Sequence, residues 1–193
     1  MKRAIALGTF DGVHIGHRAI INAAIDKAAE LDMEPMIYTF TAHPMVLFGK
    51  QPPLLMTQSE RMAALGGMGC TLSADEFSAE YAATEPEQFI KMLIERLDMG
   101  CAVAGFNYTF GRRGEGSVEL IKKLGEKYGF AVEIVPPVMY KGEAVSSTRI
   151  RACLEAGRVK DAGEMLGAPY SITGPVIRNR GIGRTLDYPT ANI

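Results

Sequence analysis

Short apolar runs alternate along this chain with longer stretches whose apolar positions recur at helical spacing. Arg3-Ala4-Ile5-Ala6-Leu7 is short, apolar and bounded by glycine, as a buried strand would be. Ile20, Ile21, Ala24, Ile25, Ala28 and Leu31 then mark a helix, and Pro35 to Phe40 a second strand that runs into a polar loop from Thr41 to Pro53. Thr57-Gln58-Ser59-Glu60 has the spacing of a capping box and predicts a helix ending near Gly66-Gly67. Thr84-Glu85-Pro86-Glu87 repeats the device, with proline where its missing N–H costs little, and predicts a helix to about Asp98. Cys101 to Ala104 and Ala131 to Val135 read as buried strands, with a helix carrying Val118, Leu120, Ile121 and Leu124 between them. Serines 146 and 147 precede Ile150, Cys153 and Leu154, closed by Gly157, which is the pattern of an N-capped helix. This alternation predicts an α/β fold with a parallel sheet covered by helices on both faces. Ligands in such folds bind at the carboxyl ends of the strands, near the point where strand order switches.

Chemistry concentrates in the loops at those ends. Gly8-Thr9-Phe10-Asp11-Gly12-Val13-His14-Ile15-Gly16-His17 joins the first strand to the first helix. A strand, a glycine-containing turn and a helix start aim free N–H groups and the positive end of the helix dipole at whatever occupies the turn, so anions bind there. His14 and His17, three residues apart, would face the same way and could donate to phosphate oxygens. The competing readings are a metal pair, which would need further ligands when the only other histidine is His43, and a structural turn with surface histidines. All three histidines fall in just two of the loops. Ser146 to Arg149 could be an ordinary cap, a second phosphate cradle, or both. Arg112 and Arg113, flanked by Gly111, Gly114 and Gly116, could be solvated charges or part of a loop that closes over a polyphosphate.

Composition narrows the partners. The formal charge of −1 over 193 residues provides no strong basic field for nucleic acid or an anionic membrane, so small ligands fit better. Only four apolar residues follow Arg3 before Gly8, short of the ~7–15-residue apolar core of a signal peptide, and no stretch approaches a membrane span. Cys70, Cys101 and Cys153 are widely separated, which indicates neither a disulfide framework nor zinc and suits reduced thiols in a cytoplasmic protein. Oligomeric state is not legible.

The motifs resemble a known family when taken together. Gly8 to His17 looks like the HxGH signature of the nucleotidylyltransferases, in the form found in prokaryotic FAD synthetases, the bifunctional riboflavin kinase/FMN adenylyltransferase enzymes. Val145-Ser146-Ser147-Thr148-Arg149-Ile150-Arg151 is similar to that family's second nucleotide motif, Gly105 to Gly111 to its central loop, and Thr39-Phe40-Thr41-Ala42-His43-Pro44 to its flavin-side loop. Gly183 to Asn192 resembles the entry to the riboflavin kinase module, with its PTAN signature.

The resemblance implies a Rossmann-like nucleotidylyltransferase fold that transfers AMP from ATP to FMN, with Mg2+ shared with the phosphates. It implies catalytic roles for His14, His17, Asn107 and Arg149, and ATP contacts from Gly8, Thr9, Phe10, Asp11, His14, Gly16, His17, Ser146, Ser147, Thr148 and Arg149. Phe40, His43, Pro44, Asn107 and Phe110 would border the flavin. Another acceptor within the same superfamily, or a nucleotide-binding module without catalysis, are the alternatives. Residues 1–157 would form the adenylyltransferase domain, 158–169 a helical linker, and 170–193 the start of the kinase module. There Tyr170 to Ile177 looks like the first strand, and Thr190 and Asn192 would be metal and ATP ligands. So short a piece predicts no riboflavin kinase activity.

Overall fold

The computed structural model describes residues 1–49, 53–177 and 187. Thr190 and Asn192 lie outside the described residues. Five strands, β1 (Arg3–Leu7), β2 (Glu34–Phe40), β3 (Thr71–Asp75), β4 (Met99–Gly105) and β5 (Ala131–Val135), form one sheet in the order β3-β2-β1-β4-β5. Every pairing in it is parallel. The chain winds outward from β1 to β3, then crosses back to β4, so the switch in strand order falls between β1 and β4.

Alternation along each strand divides the core into two layers. Ile5, Leu7, Met36, Tyr38 and Ala102 face α4 (Pro86–Leu97) and α5 (Val118–Tyr128), through Phe89, Ile90, Leu93 and Ile121. Ala4, Ala6, Ile37, Cys101 and Val103 face α1 (Ile15–Glu30) and α2 (Gln58–Gly66), through Ile21, Ala24, Ala28 and Leu65. Helices therefore cover both faces of the sheet. Small residues at 4, 6, 24 and 28 let α1 pack tightly over the centre of the sheet. A third cluster joins α6 (Ser147–Glu155) to α7 (Val159–Leu166) through Ile150, Cys153, Ala162 and Met165, so the stretch expected as a helical linker is packed against the preceding helix.

Some local expectations change. Thr57 and Glu60 form the capping box, but Thr84 does not cap α4: Glu85 is the N-cap, without a side-chain bond, and Pro86 occupies the first turn. The loop after β2 contains a 3-10 turn, Pro44–Phe48. Edge strand β3 and the short helix α3 (Ala79–Ala82) went unpredicted, because β3 offers only Leu72 and Ala74 as apolar positions. Of Tyr170 to Ile177, read as the first strand of a following module, residues 170–176 lie in no regular element. Among the described residues no helix is long and apolar enough to cross a membrane.

Candidate active site

The turn between β1 and α1 is held in an unusual backbone conformation. Phe10 (φ 54°), Gly12 (φ 83°) and Val13 (φ 39°) are all left-handed, and the Val13 N–H closes the turn on the Phe10 carbonyl at 3.2 Å. Left-handed non-glycine residues cost about 1–3 kcal/mol each and persist where packing dictates them; Phe10 and Val13 are fully buried. Gly12 is required doubly, since a Cβ there would also lie 2.7 Å from the Leu55 side chain. At Gly16 a Cβ would come within 3.2 Å of the His14 ring.

His14 caps α1 with its own side chain, its Nδ1 accepting the His17 N–H at 3.2 Å. That bond needs a lone pair on Nδ1, so the neutral ring carries its proton on Nε2 and can donate from there. His17 stacks on it, with centroids 3.5 Å apart and planes at 16°. Burial pushes the His14 pKa down to about 4, and burial together with the neighbouring His14 holds that of His17 well below its usual value. Both rings are therefore neutral at pH 7. The His17 Nδ1 is buried with no hydrogen-bond partner, an uncompensated polar atom of the kind that collects at working sites.

The two motifs, more than a hundred residues apart in sequence, meet here. Ser147 Oγ donates to the Asp11 carbonyl at 2.9 Å, while Ser146 caps α6 by accepting the Arg149 N–H at 3.2 Å. The buried Asp11 carboxylate accepts the Leu55 N–H at 3.2 Å and pairs with Arg151. Together they border a cleft of about 390 Å³, which Gly8 to Asp11, His14, Gly16, His17, Asn107 and Ser146 to Thr148 all line.

Arg149 does not line it. Its guanidinium turns outward, donating to the Glu143 carbonyl at 2.8 Å, pairing with the Glu143 carboxylate at 3.2 Å and resting over the Tyr140 ring. Arg151 lines the cleft instead, in the place expected for Arg149. The reason is helical geometry: Arg151 lies four residues after Ser147 and three after Thr148, on their face, whereas Arg149 is rotated well away. Counting along the predicted helix would have found this. Arg112 and Arg113 are absent from the cleft too. Arg112 pairs with Glu85 at 2.8 Å and Glu115 at 3.4 Å, and its loop is pinned by reciprocal Phe110–Gly116 backbone bonds of 3.1 and 2.8 Å.

A second cavity, of about 420 Å³ and largely aromatic, adjoins the first; Gly8, Thr9, Tyr108 and Thr109 line both. Phe40, Pro44 and Phe110 line this second cavity as expected for the flavin side, and Arg113 also borders it. His43 and Asn107 do not: both face the polar cleft, and His43 also faces a side pocket of about 200 Å³. Sequence reading missed Phe48, Phe77, Tyr81 and Phe89, which carry no motif, and gave no flavin-side role to Tyr108 of the central loop; these rings complete the aromatic walls. It also missed Pro136, Pro137 and Val138, after β5, which close the far side of the cleft. Among the described residues no three His, Cys, Asp or Glu side chains are grouped to hold a metal ion.

A family model described as FAD synthetase matches residues 1–149, and one described as riboflavin kinase matches residues 166–193. The chain belongs to the FAD synthetase family. Its relatives include the bifunctional riboflavin kinase/FMN adenylyltransferases of Listeria monocytogenes, 32% identical, and Bacillus subtilis, 36% identical, each aligned over 100% of this chain. The Escherichia coli protein of that name is 31% identical over 98% of it. This FAD synthetase family member spans 62% of the length of each of these relatives. Among solved structures, one described as a macrolide-efflux protein from Streptococcus pneumoniae superposes with a TM-score of 0.87 at 33% identity, covering 99% of this chain and 63% of that one.

Proposed function

We propose that the chain is an FMN adenylyltransferase, transferring AMP from ATP to FMN to give FAD and pyrophosphate. The observation that carries this reading is the shared wall at Gly8-Thr9 and Tyr108-Thr109, which sets a polar, anion-suited cleft against an aromatic cavity of the kind a flat tricyclic ring fills. The isoalloxazine would lie among Phe40, Phe77, Tyr81 and Phe110, and ATP in the cleft. A phosphate oxygen of FMN would attack the α-phosphorus of ATP, and the bond from that phosphorus to the β-bridging oxygen would break as pyrophosphate leaves.

No protein nucleophile is needed, so the residues act by position and charge. The neutral rings of His14 and His17 would donate hydrogen bonds to charge growing on the α-phosphate, joined by the free N–H groups at the start of α1. Ser147, Thr148 and Arg151 would hold the outer phosphates, with Asp11 fixing the guanidinium's orientation. A magnesium ion suits this donor set: among the described residues the one carboxylate on the cleft is occupied by Arg151 and Leu55, leaving neutral oxygens such as those of Asn107 and Thr148. Bound mainly by phosphate oxygens, it would neutralise charge on the transferred group. Residues 1–157 would form the adenylyltransferase domain. Chromatography after incubation with ATP, magnesium and FMN should show FAD and pyrophosphate in equal amounts. A faster reaction with a phosphopantetheine or alcohol phosphate would favour the wider superfamily, and ATP binding without turnover a non-catalytic module.

A further inference from the structure

Arg61 of α2 is buried, 6% exposed, and the structure gives it no ion pair with a carboxylate among the described residues. A buried, unpaired guanidinium is costly unless all its donors are satisfied. Here the partners are four oxygens at the carboxyl ends of two adjacent strands. Nη1 donates to the Thr9 carbonyl at 2.9 Å and to Thr39 Oγ1 at 3.0 Å, and Nη2 to the carbonyls of Phe40 at 2.6 Å and Thr41 at 3.1 Å. The Thr39 hydroxyl, fully buried, in turn donates to the Thr9 carbonyl at 3.4 Å. Loss of solvent lowers the Arg61 pKa, with the nearby Asp11 charge opposing.

These acceptors belong to the two walls that the proposed reaction must hold in register. Thr9 lies on both the polar cleft and the aromatic cavity, and Phe40 on the aromatic cavity alone. The β1–β2 ladder runs to Leu7 opposite Tyr38, and just past it the Gly8 N–H reaches the Tyr38 carbonyl at a long 3.4 Å, so Arg61 and Thr39 add side-chain ties where the backbone pairing gives out. Resting on the adenylyltransferase reading, we infer that Arg61 is a positioning residue, a fork that clamps the ATP-side turn to the flavin-side loop and so fixes the attacking phosphate relative to the α-phosphorus. Its planar shape is what permits two oxygens per nitrogen, one pair shared between the strands and one pair on β2 and its loop.

Misplacement of reacting groups by about 1 Å can cost on the order of 10²-fold in rate, without either substrate losing its own contacts. Arg61→Met should therefore lower kcat by about 30- to 100-fold, on that scale. Affinity for FMN alone and for a non-hydrolysable ATP analogue alone should each stay within about threefold, since neither cavity's own contacts are removed. Arg61→Lys should recover part of the rate, an ammonium having only three donors for four acceptors. Thr39→Val, which keeps the shape and removes one acceptor, should give a smaller fall in kcat and decides the matter if Arg61→Met fails to fold. Wild-type kcat in a folded Arg61→Met or in Thr39→Val, or a loss that follows the affinity of one substrate only, overturns the inference. A wild-type chain that forms no FAD overturns the functional reading and this inference with it.

Discussion

The polar cleft and the aromatic cavity are similar in size and share a wall, yet they are built in opposite ways. In the cleft several groups are already held by others: His14 by the His17 N–H, Asp11 by Leu55 and Arg151, Ser147 by the Asp11 carbonyl. Such a site is prepared for charge before any ligand arrives, which suits stabilisation of a transition state. In the aromatic cavity, rings from five separate segments meet, several of them edge to face, such as Phe40 on Phe77 at 5.0 Å and on Tyr81 at 5.2 Å. Its polar atoms are turned aside. The Tyr38 hydroxyl donates to Asp75 at 2.6 Å and lies 2.5 Å from the Tyr81 hydroxyl, and burial raises both phenol pKa values, so both stay protonated. On the proposed reading, one region is organised for reaction and the other for shape. Variants on the two sides should therefore fail in different ways.

The sharpest contrast is expected at His17. His17→Ala should lower kcat for FAD formation by about 10²–10³, the range for loss of one donor to developing charge, with little change in the KM for ATP. A rise in KM with kcat intact would mean a ground-state role and would erase the distinction drawn here. Next in size is Arg151→Ala, which should weaken ATP binding by about 1.5–3 kcal/mol, the worth of a hydrogen bond to a charged group. Arg149→Ala should leave it unchanged, because that side chain is spent on Glu143 and Tyr140; calorimetric titration of the two variants separates the arginines, and the reverse result would move the second phosphate cradle.

Phe40→Ala tests the other side. It should weaken FMN by about tenfold, through lost ring contacts, and leave ATP affinity alone. Equal loss of both ligands would show that the two cavities do not act separately.

The smallest effect is one of pH on the cleft alone. Both imidazoles have folded-state pKa values depressed below the usual 6.5, that of His14 to about 4. Between those values the unfolded chain binds more protons than the folded one, so stability rises with pH there and is lost as pH falls from about 6.5 towards 4. Thermal melts across that window should show this slope, and His17→Ala should flatten it. An unchanged slope in the variant would place the titration elsewhere, in His14, in His43 or in the carboxylates.

Local pattern determined much of this protein. Strand β5 begins and ends where the apolar run does, β1 likewise, and the Thr57–Glu60 capping box forms as its spacing requires, because burial period and cap chemistry act over a few residues. The HxGH turn was legible for the same reason: its glycines and histidines are neighbours in sequence. Helical counting separates Arg151 from Arg149, but tertiary structure alone decided how Asp11 is spent, that His43 faces the polar cleft, and which rings wall the aromatic cavity. These depend on contacts such as Asp11 with Arg151 and Phe40 with Tyr81, whose partners lie far apart along the chain. A lone aromatic carries no period, so its role is fixed only when the sheet brings the strand ends together.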